Sequence, residues 1–181
     1  MPEKVVTGKV RMSYANVFEP KSINGSEPKY SVSILIPKSD KATINKIKTA
    51  INKVMEEGKN SKWGGKIPKK LKTPLRDGDE EREDDEAYAD CFFVNCNSTR
   101  APKVVDKDLN PIIDAEEFYS GCYGRASITF FAFSSNGNNG IGAGLNNIQK
   151  LSDGERLAGG SSPEEDFGSD FEDDDDDDYL D

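Results

Sequence analysis

The sequence predicts a mainly β fold: an antiparallel barrel of five principal strands with one helix, followed by an acidic C-terminal tail that stays outside it. Three observations predict this. Five runs alternate apolar and polar residues with a period of two between turn residues, one run repeats apolar residues at helical spacing, and the chain ends EDDDDDDYLD. No repeated strand–helix–strand rhythm and no internal repeat is visible, and an antiparallel barrel closes the edges of so few strands. At 181 residues the chain has room for one domain and its tails. The domain is expected over 1–151, with a mobile basic and acidic excursion at about 59–89, and a disordered tail over 152–181.

In chain order, Val6, Val10, Met12 and Tyr14 alternate with Lys9, Arg11 and Ser13, which gives a strand with one apolar and one basic face. After a turn-rich stretch from Asn16 to Pro28, Tyr30, Val32, Ile34 and Ile36 form a second strand that Pro37 ends, and the two read as a hairpin. Ser39 or Asp40 then caps a helix whose stripe is Ile44, Ile47, Ile51, Val54 and Met55, with Gly58 as its expected stop. Lys59–Arg76 is a basic connection holding the single tryptophan, Trp63, and Asp77–Glu86 is acidic and reads as a solvated loop. Strands follow at Asp90–Asn97 and at Cys122–Phe133, where Gly124, Ala126, Ile128, Phe130 and Ala132 share a face. A hairpin turn at Ser134–Gly140 leads to the last strand, Ile141 to about Lys150.

Charge is unevenly spread. Residues 1–76 hold 17 Lys+Arg against 6 Asp+Glu, residues 77–90 hold 1 against 9, and residues 159–181 hold none against 12, so the overall −10 conceals a basic first half. That asymmetry suggests a nucleic-acid binder with an acidic appendage. Six consecutive aspartates cannot enter a core, because they would bury repelling charges without partners. The three cysteines contain no CxxC pair and the chain has no histidine, so the cysteines read as reduced, mostly buried small residues rather than zinc ligands. No apolar run is long enough to span a membrane and no leader is visible, which reads as a cytoplasmic protein.

Enzyme readings find little support. Without histidine there is no triad and no neutral-pH general base of that type, and neither a P-loop nor a dinucleotide fingerprint is present. Asp106, Asp108, Asn110, Asp114 and Glu117 match an EF-hand spacing, but Pro111 stands where that loop needs glycine, so a polar turn is the better reading. No cofactor and no metal is expected. The positive signal is basic residues interleaved with aromatics on strand faces and in loops: Lys9, Arg11 and Tyr14; Trp63 with Lys66, Lys69, Lys70 and Lys72; Phe93 with Asn97 and Arg100; Tyr123 and Arg125. Single-strand binders need this mix, since cations follow phosphates while flat side chains stack on unpaired bases whatever their identity. For each of these side chains a place in the core or on a plain surface is the alternative, and Trp63 in particular reads equally as a ring tucked beneath its loop.

Asn95-Cys96-Asn97-Ser98 with Val104-Val105-Asp106, then Glu117-Phe118-Tyr119-Ser120-Gly121-Cys122-Tyr123-Gly124-Arg125-Ala126, then Gly144-Leu145-Asn146-Asn147-Ile148-Gln149-Lys150 ahead of a poly-acidic end, resemble the single-stranded-DNA-binding proteins of tailed phages over roughly residues 5–181. The resemblance implies an OB-like barrel, sequence-tolerant binding of single-stranded DNA, and a part in phage DNA replication, recombination and repair within the infected bacterial cell. It also implies a tail that competes with DNA and recruits replication proteins such as polymerase and helicase-primase, through Phe171, Asp173, Asp174, Asp175, Asp176, Asp177, Asp178, Tyr179 and Leu180. A homodimer is among the assemblies left open. The rival of another class is an acidic protein–protein adaptor or DNA mimic that binds no DNA.

Overall fold

The computed structural model describes residues 2–22, 27–69, 71, 73–135 and 138–157. Its strands are β1 (Glu3–Val6), β2 (Val10–Lys21), β3 (Lys29–Pro37), β4 (Leu75–Asp77), β5 (Cys91–Ser98), β6 (Lys103–Val105), β7 (Tyr123–Ser135) and β8 (Asn138–Ser152). The helices are α1 (Lys41–Ser61) and the single turn α2 (Gly78–Glu81), with a 3-10 turn at Glu86–Tyr88. The five expected strands are β2, β3, β5, β7 and β8. They form a closed ring, in which β2 pairs with β3, β3 with β5, β5 with β8, β8 with β7, and β7 with β2. Three short strands trim it: β1 on the outer edge of β7, β4 beside β5, and β6 beside β8. The seam between β5 and β8 is one parallel pairing, Asn97 opposite Gly144.

The alternation read from sequence fills the barrel. Val10, Met12, Ile34, Ile36, Val94, Cys96, Ile128, Phe130 and Ile148 all point inward and are buried. Enclosure pushes the Cys96 thiol up to about 12, so it stays protonated and unreactive. The α1 stripe of Ile44, Ile47, Ile51 and Val54 joins the same core. Asp40 caps this helix, accepting from the Thr43 N–H at 3.1 Å. Asp40→Ala is expected to lower unfolding free energy by ~1 kcal/mol, read as a shifted urea midpoint.

Several details differ from the expectations. The first expected strand breaks at Thr7–Lys9, so Val6 belongs to β1, where Val5 is buried in its place and Val6 is 38% exposed, and β2 continues through Asn16–Lys21, which the sequence reads as turn. Gly58 does not stop α1. The helix runs three residues further, to Ser61, and Gly58 is instead a contact point: a Cβ there would lie 2.8 Å from the Ala132 Cβ and 3.1 Å from the Trp63 ring. Tyr14 leaves the apolar face of its strand, because the β2–β3 register shifts between Ser13 and Asn16 and Tyr14 sits at φ 48°, which turns its ring out to 44% exposure. The acidic stretch 77–90 is folded rather than looped out, since Tyr88 is fully buried and forms a small second core with Leu35 and Phe93 on the outside of the barrel.

Candidate nucleic-acid interface

With inward positions taken by the core, the alternate residues of each strand make an outer face. One row crosses all five principal strands: Asn16 opposite Ser31, Ser31 opposite Asn97, Asn97 opposite Gly144, and Gly144 opposite Thr129. Each member is small or polar. Asn97 is exposed, and the rest are half-buried. Two residues along β7 on the same face, Phe131 is 38% exposed and lies opposite Gly142. A Cβ on Gly142 would come within 2.5 Å of the Phe131 ring, so the ring rests on bare glycine backbone and turns its other face outward. The Asn146 amide donates to Thr129 Oγ1 at 2.8 Å, fixing the polar groups beside it.

The end of α1 reaches this region through Trp63, whose Nε1–H donates to the Phe133 carbonyl at 3.1 Å, and the Phe133 ring lies 6.5 Å from that of Phe131. Trp63 is therefore a half-buried prop beneath its loop. The exposed Lys66 and Lys69 follow it in the chain.

A second patch lies where β2 begins beside β7. Lys9 Nζ and the Arg11 guanidinium stand 5.3 and 5.5 Å from the centre of the Tyr123 ring. Arg11 is held by backbone, donating to the carbonyls of Gly121 at 3.1 Å and Glu155 at 2.6 Å. Arg125 donates to the Thr7 carbonyl at 3.1 Å and is otherwise exposed.

The third feature is the strap formed by residues 77–90. The Tyr88 hydroxyl hydrogen-bonds with Ser33 at 3.1 Å and Ser13 at 3.3 Å, and its ring meets that of Phe93 edge-on at 5.0 Å. The Arg82 guanidinium lies between two rings, 4.5 Å from Tyr88 and 5.2 Å from Tyr14, and donates to the Tyr14 hydroxyl at 2.7 Å. At the other end Lys38 binds Asp79 at 2.8 Å and Asp77 at 2.9 Å. Those bonds raise the Lys38 ammonium and hold both carboxyls below their ordinary range.

The structure thus brings Lys9, Arg11, Tyr123 and Arg125 into one patch and places Asn97 at the centre of the polar row. Tyr14 is exposed beside Arg82. Arg100 is exposed just beyond β5, its N–H bonded to Ser98 Oγ. Phe93 is 2% exposed under Tyr88 and offers no face to a ligand. Lys70, Lys72 and the tail residues from Phe171 to Leu180 lie outside the described residues. In the EF-hand-like stretch, the Asp106 carboxylate accepts from the N–H groups of Asp108 and Asn110 at 2.8 and 2.9 Å, the geometry of a polar turn. Sequence reasoning did not single out Phe131, which the structure leaves exposed on this face. The available signal was the glycine alternation in Gly140-Ile141-Gly142-Ala143-Gly144, which the hairpin register sets against Phe133 and Phe131.

Comparison with known proteins agrees with this architecture. A curated relative, putative protein p50 of Acyrthosiphon pisum secondary endosymbiont phage 1, is 32% identical over 168 residues, covering 87% of this chain and 88% of the relative. The single-stranded DNA-binding protein of bacteriophage Enc34, solved in complex with ssDNA, superimposes with a TM-score of 0.77 at 25% identity, covering 85% of this chain and 89% of that one. The gp2.5 single-stranded DNA-binding protein of bacteriophage T7 shares the fold, with a TM-score of 0.61 at 12% identity over 86% of this chain and 95% of that one. The family model described as Enterobacter phage Enc34, ssDNA-binding protein, matches residues 3–180, and the chain belongs to that family of OB-like phage ssDNA-binding proteins.

Proposed function

We propose that this protein binds single-stranded DNA with little regard to sequence, without catalysing a reaction, along the polar row and the Phe131 platform of the outer barrel face. The observation that carries the reading is the row itself: Asn16, Ser31, Asn97 and Gly144 make a shallow, uncharged floor that a backbone can approach, with one flat ring turned outward beside it. Stacking on a ring is indifferent to which base is stacked. Asn97, Arg100, Lys66 and Lys69 are the described sequence-predicted residues best placed to join it, while Lys9, Tyr123 and Arg125 offer phosphates a second landing point. Membership of the family, one of whose members was solved with ssDNA, supports the same reading.

In this proposal the protein works on phage DNA during replication, recombination and repair in the host cytoplasm. All 24 Lys+Arg lie in residues 1–158 and 12 of the 34 acidic residues follow them. A covalently attached acidic segment has a high effective concentration at the cationic surfaces of its own body. The tail therefore competes with DNA and, once displaced, presents Phe171, Tyr179 and Leu180 to replication proteins. Among the described residues no helix is long and apolar enough to cross a membrane.

The test is a salt series on labelled oligo-dT with full-length and 1–158 protein. Affinity is expected to fall with a log–log slope of about −0.7 per phosphate neutralised, and to be tighter for 1–158. Equal affinity in both forms would remove the competing tail and leave the groove. Absence of binding by either form would favour the acidic adaptor reading, for which the exposed carboxylates of Glu80, Glu81, Glu83, Asp84 and Glu86 are the specific observation.

A further inference from the structure

We infer that the acidic strap is a fixed wall along one side of the binding face, and that it makes the protein prefer a single strand over a duplex. This rests on the groove reading above.

The strap is built into the sheet. It begins in β4, whose Leu75, Arg76 and Asp77 pair with β5, and it ends where β5 begins. Between these anchors it covers the β2 and β3 members of one cross-strand row and the β3 and β5 members of the next, while Asn95, opposite Ser33, stays exposed. Ser13 and Ser33 are left 3% and 4% exposed, and Leu35 and Phe93 1% and 2%. Lifting it would bare two large apolar side chains and strip the Tyr88 hydroxyl of its partners, so it stays down. The first row it leaves open is the one holding Asn16, Ser31 and Asn97. Ser31 and Ser33 are adjacent outward positions of β3, one strand repeat of ~7 Å apart, so the open floor runs directly beside the wall.

Part of the wall's charge has no counterpart among the described residues. Asp77 and Asp79 are held by Lys38, Glu81 by Arg76 and Asp85 by Arg82. Glu80, Glu83, Asp84 and Glu86 have no ion pair among the described residues. A single strand can lie on the row with its one line of phosphates turned from the wall. A duplex cannot, because its second strand brings another line of phosphates over the carboxylates, at one charge per ~1.7 Å of axis. At 0.1 M salt, charges closer than a screening length of ~10 Å repel with little attenuation. Like-charge contact of this kind raises specificity by penalising the wrong partner rather than by gripping the right one.

The experiment uses the full chain with E80Q, E83Q, D84N and E86Q combined. All four side chains are on the surface and outside the Tyr88 anchor. Oligo-dT and a blunt hairpin duplex are titrated at 0.1 M and 0.4 M salt, with F131A and N97A run alongside on oligo-dT. Duplex affinity is expected to rise about tenfold at 0.1 M and oligo-dT affinity less than about threefold, and both differences should shrink at 0.4 M as screening takes over. An equal gain on both ligands, no gain, or a loss on either overturns the wall. Failure of the underlying groove reading shows separately, as F131A and N97A binding oligo-dT like the parent whatever the strap variant does.

Discussion

Phe131→Ala is expected to weaken oligo-dT binding by about 1–3 kcal/mol, the worth of one base stack, or roughly 5- to 150-fold in Kd. Its melting temperature should hardly move, because the ring is already 38% exposed and sits on the barrel rather than in it. Gly142→Ala is the sharper companion, since it leaves the Phe131 side chain in place and changes only the glycine backbone on which the ring rests. Its new methyl would come 2.5 Å from Phe131 Cζ. The obstructing atom is the far end of a side chain that can swing aside, so the fold survives while the platform tilts. A loss of affinity approaching that of Phe131→Ala, measured by fluorescence anisotropy, would assign the effect to the ring's orientation. Full affinity in both variants would remove Phe131 from the site.

Tyr88→Ala is expected to be the most destabilising strap substitution, at ~3–5 kcal/mol for a fully buried aromatic. For a chain of this size each kcal/mol moves the melting temperature by roughly 2–4 °C, so calorimetry should resolve the change easily. Leu35 and Phe93 would lose their cover. Tyr88→Phe separates packing from hydrogen bonding. It keeps the ring and leaves Ser13 and Ser33, which face each other across β2 and β3, to bond one another. That variant should cost only ~1 kcal/mol. A Tyr88→Ala protein that melts with the parent would mean that the strap is not anchored by this ring.

The barrel was legible because its signal is local. In β7 the alternation of Gly124, Ala126, Ile128 and Phe130 with Tyr123, Arg125 and Ser127 survives as the inward and outward faces. The α1 stripe likewise needs only a count of three and four. What escaped depended on contacts distant in sequence. Nothing near Gly58 tells that Ala132 will press on it, so a glycine near a helix end reads as a stop. Nothing near Tyr88 tells that Ser13 and Ser33 await its hydroxyl from 75 and 55 residues away, so eight carboxylates read as a solvated loop. The site was legible by residue type more than by place. Asn97 and Tyr123 are where a ligand could reach them. Phe93 is covered and Phe131 is exposed, because one faces the strap and the other faces a glycine, and neither neighbour is visible in the chain beside them.

The pairing of β1 with β7 has a consequence for the protein's synthesis. Val5 pairs with Ile128 and Glu3 with Phe130, whereas β2 with β3, and β7 with β8, are joined by short connections. β1 must therefore wait for β7. At ~5–20 residues per second on a bacterial ribosome, more than a hundred residues intervene, a delay of several seconds to tens of seconds. During that time β1 is a nascent strand without its partner. β1 is only four residues long and opens with Glu3 and Lys4, the short, charged form that keeps an unpaired strand from joining a neighbouring chain on the same polysome.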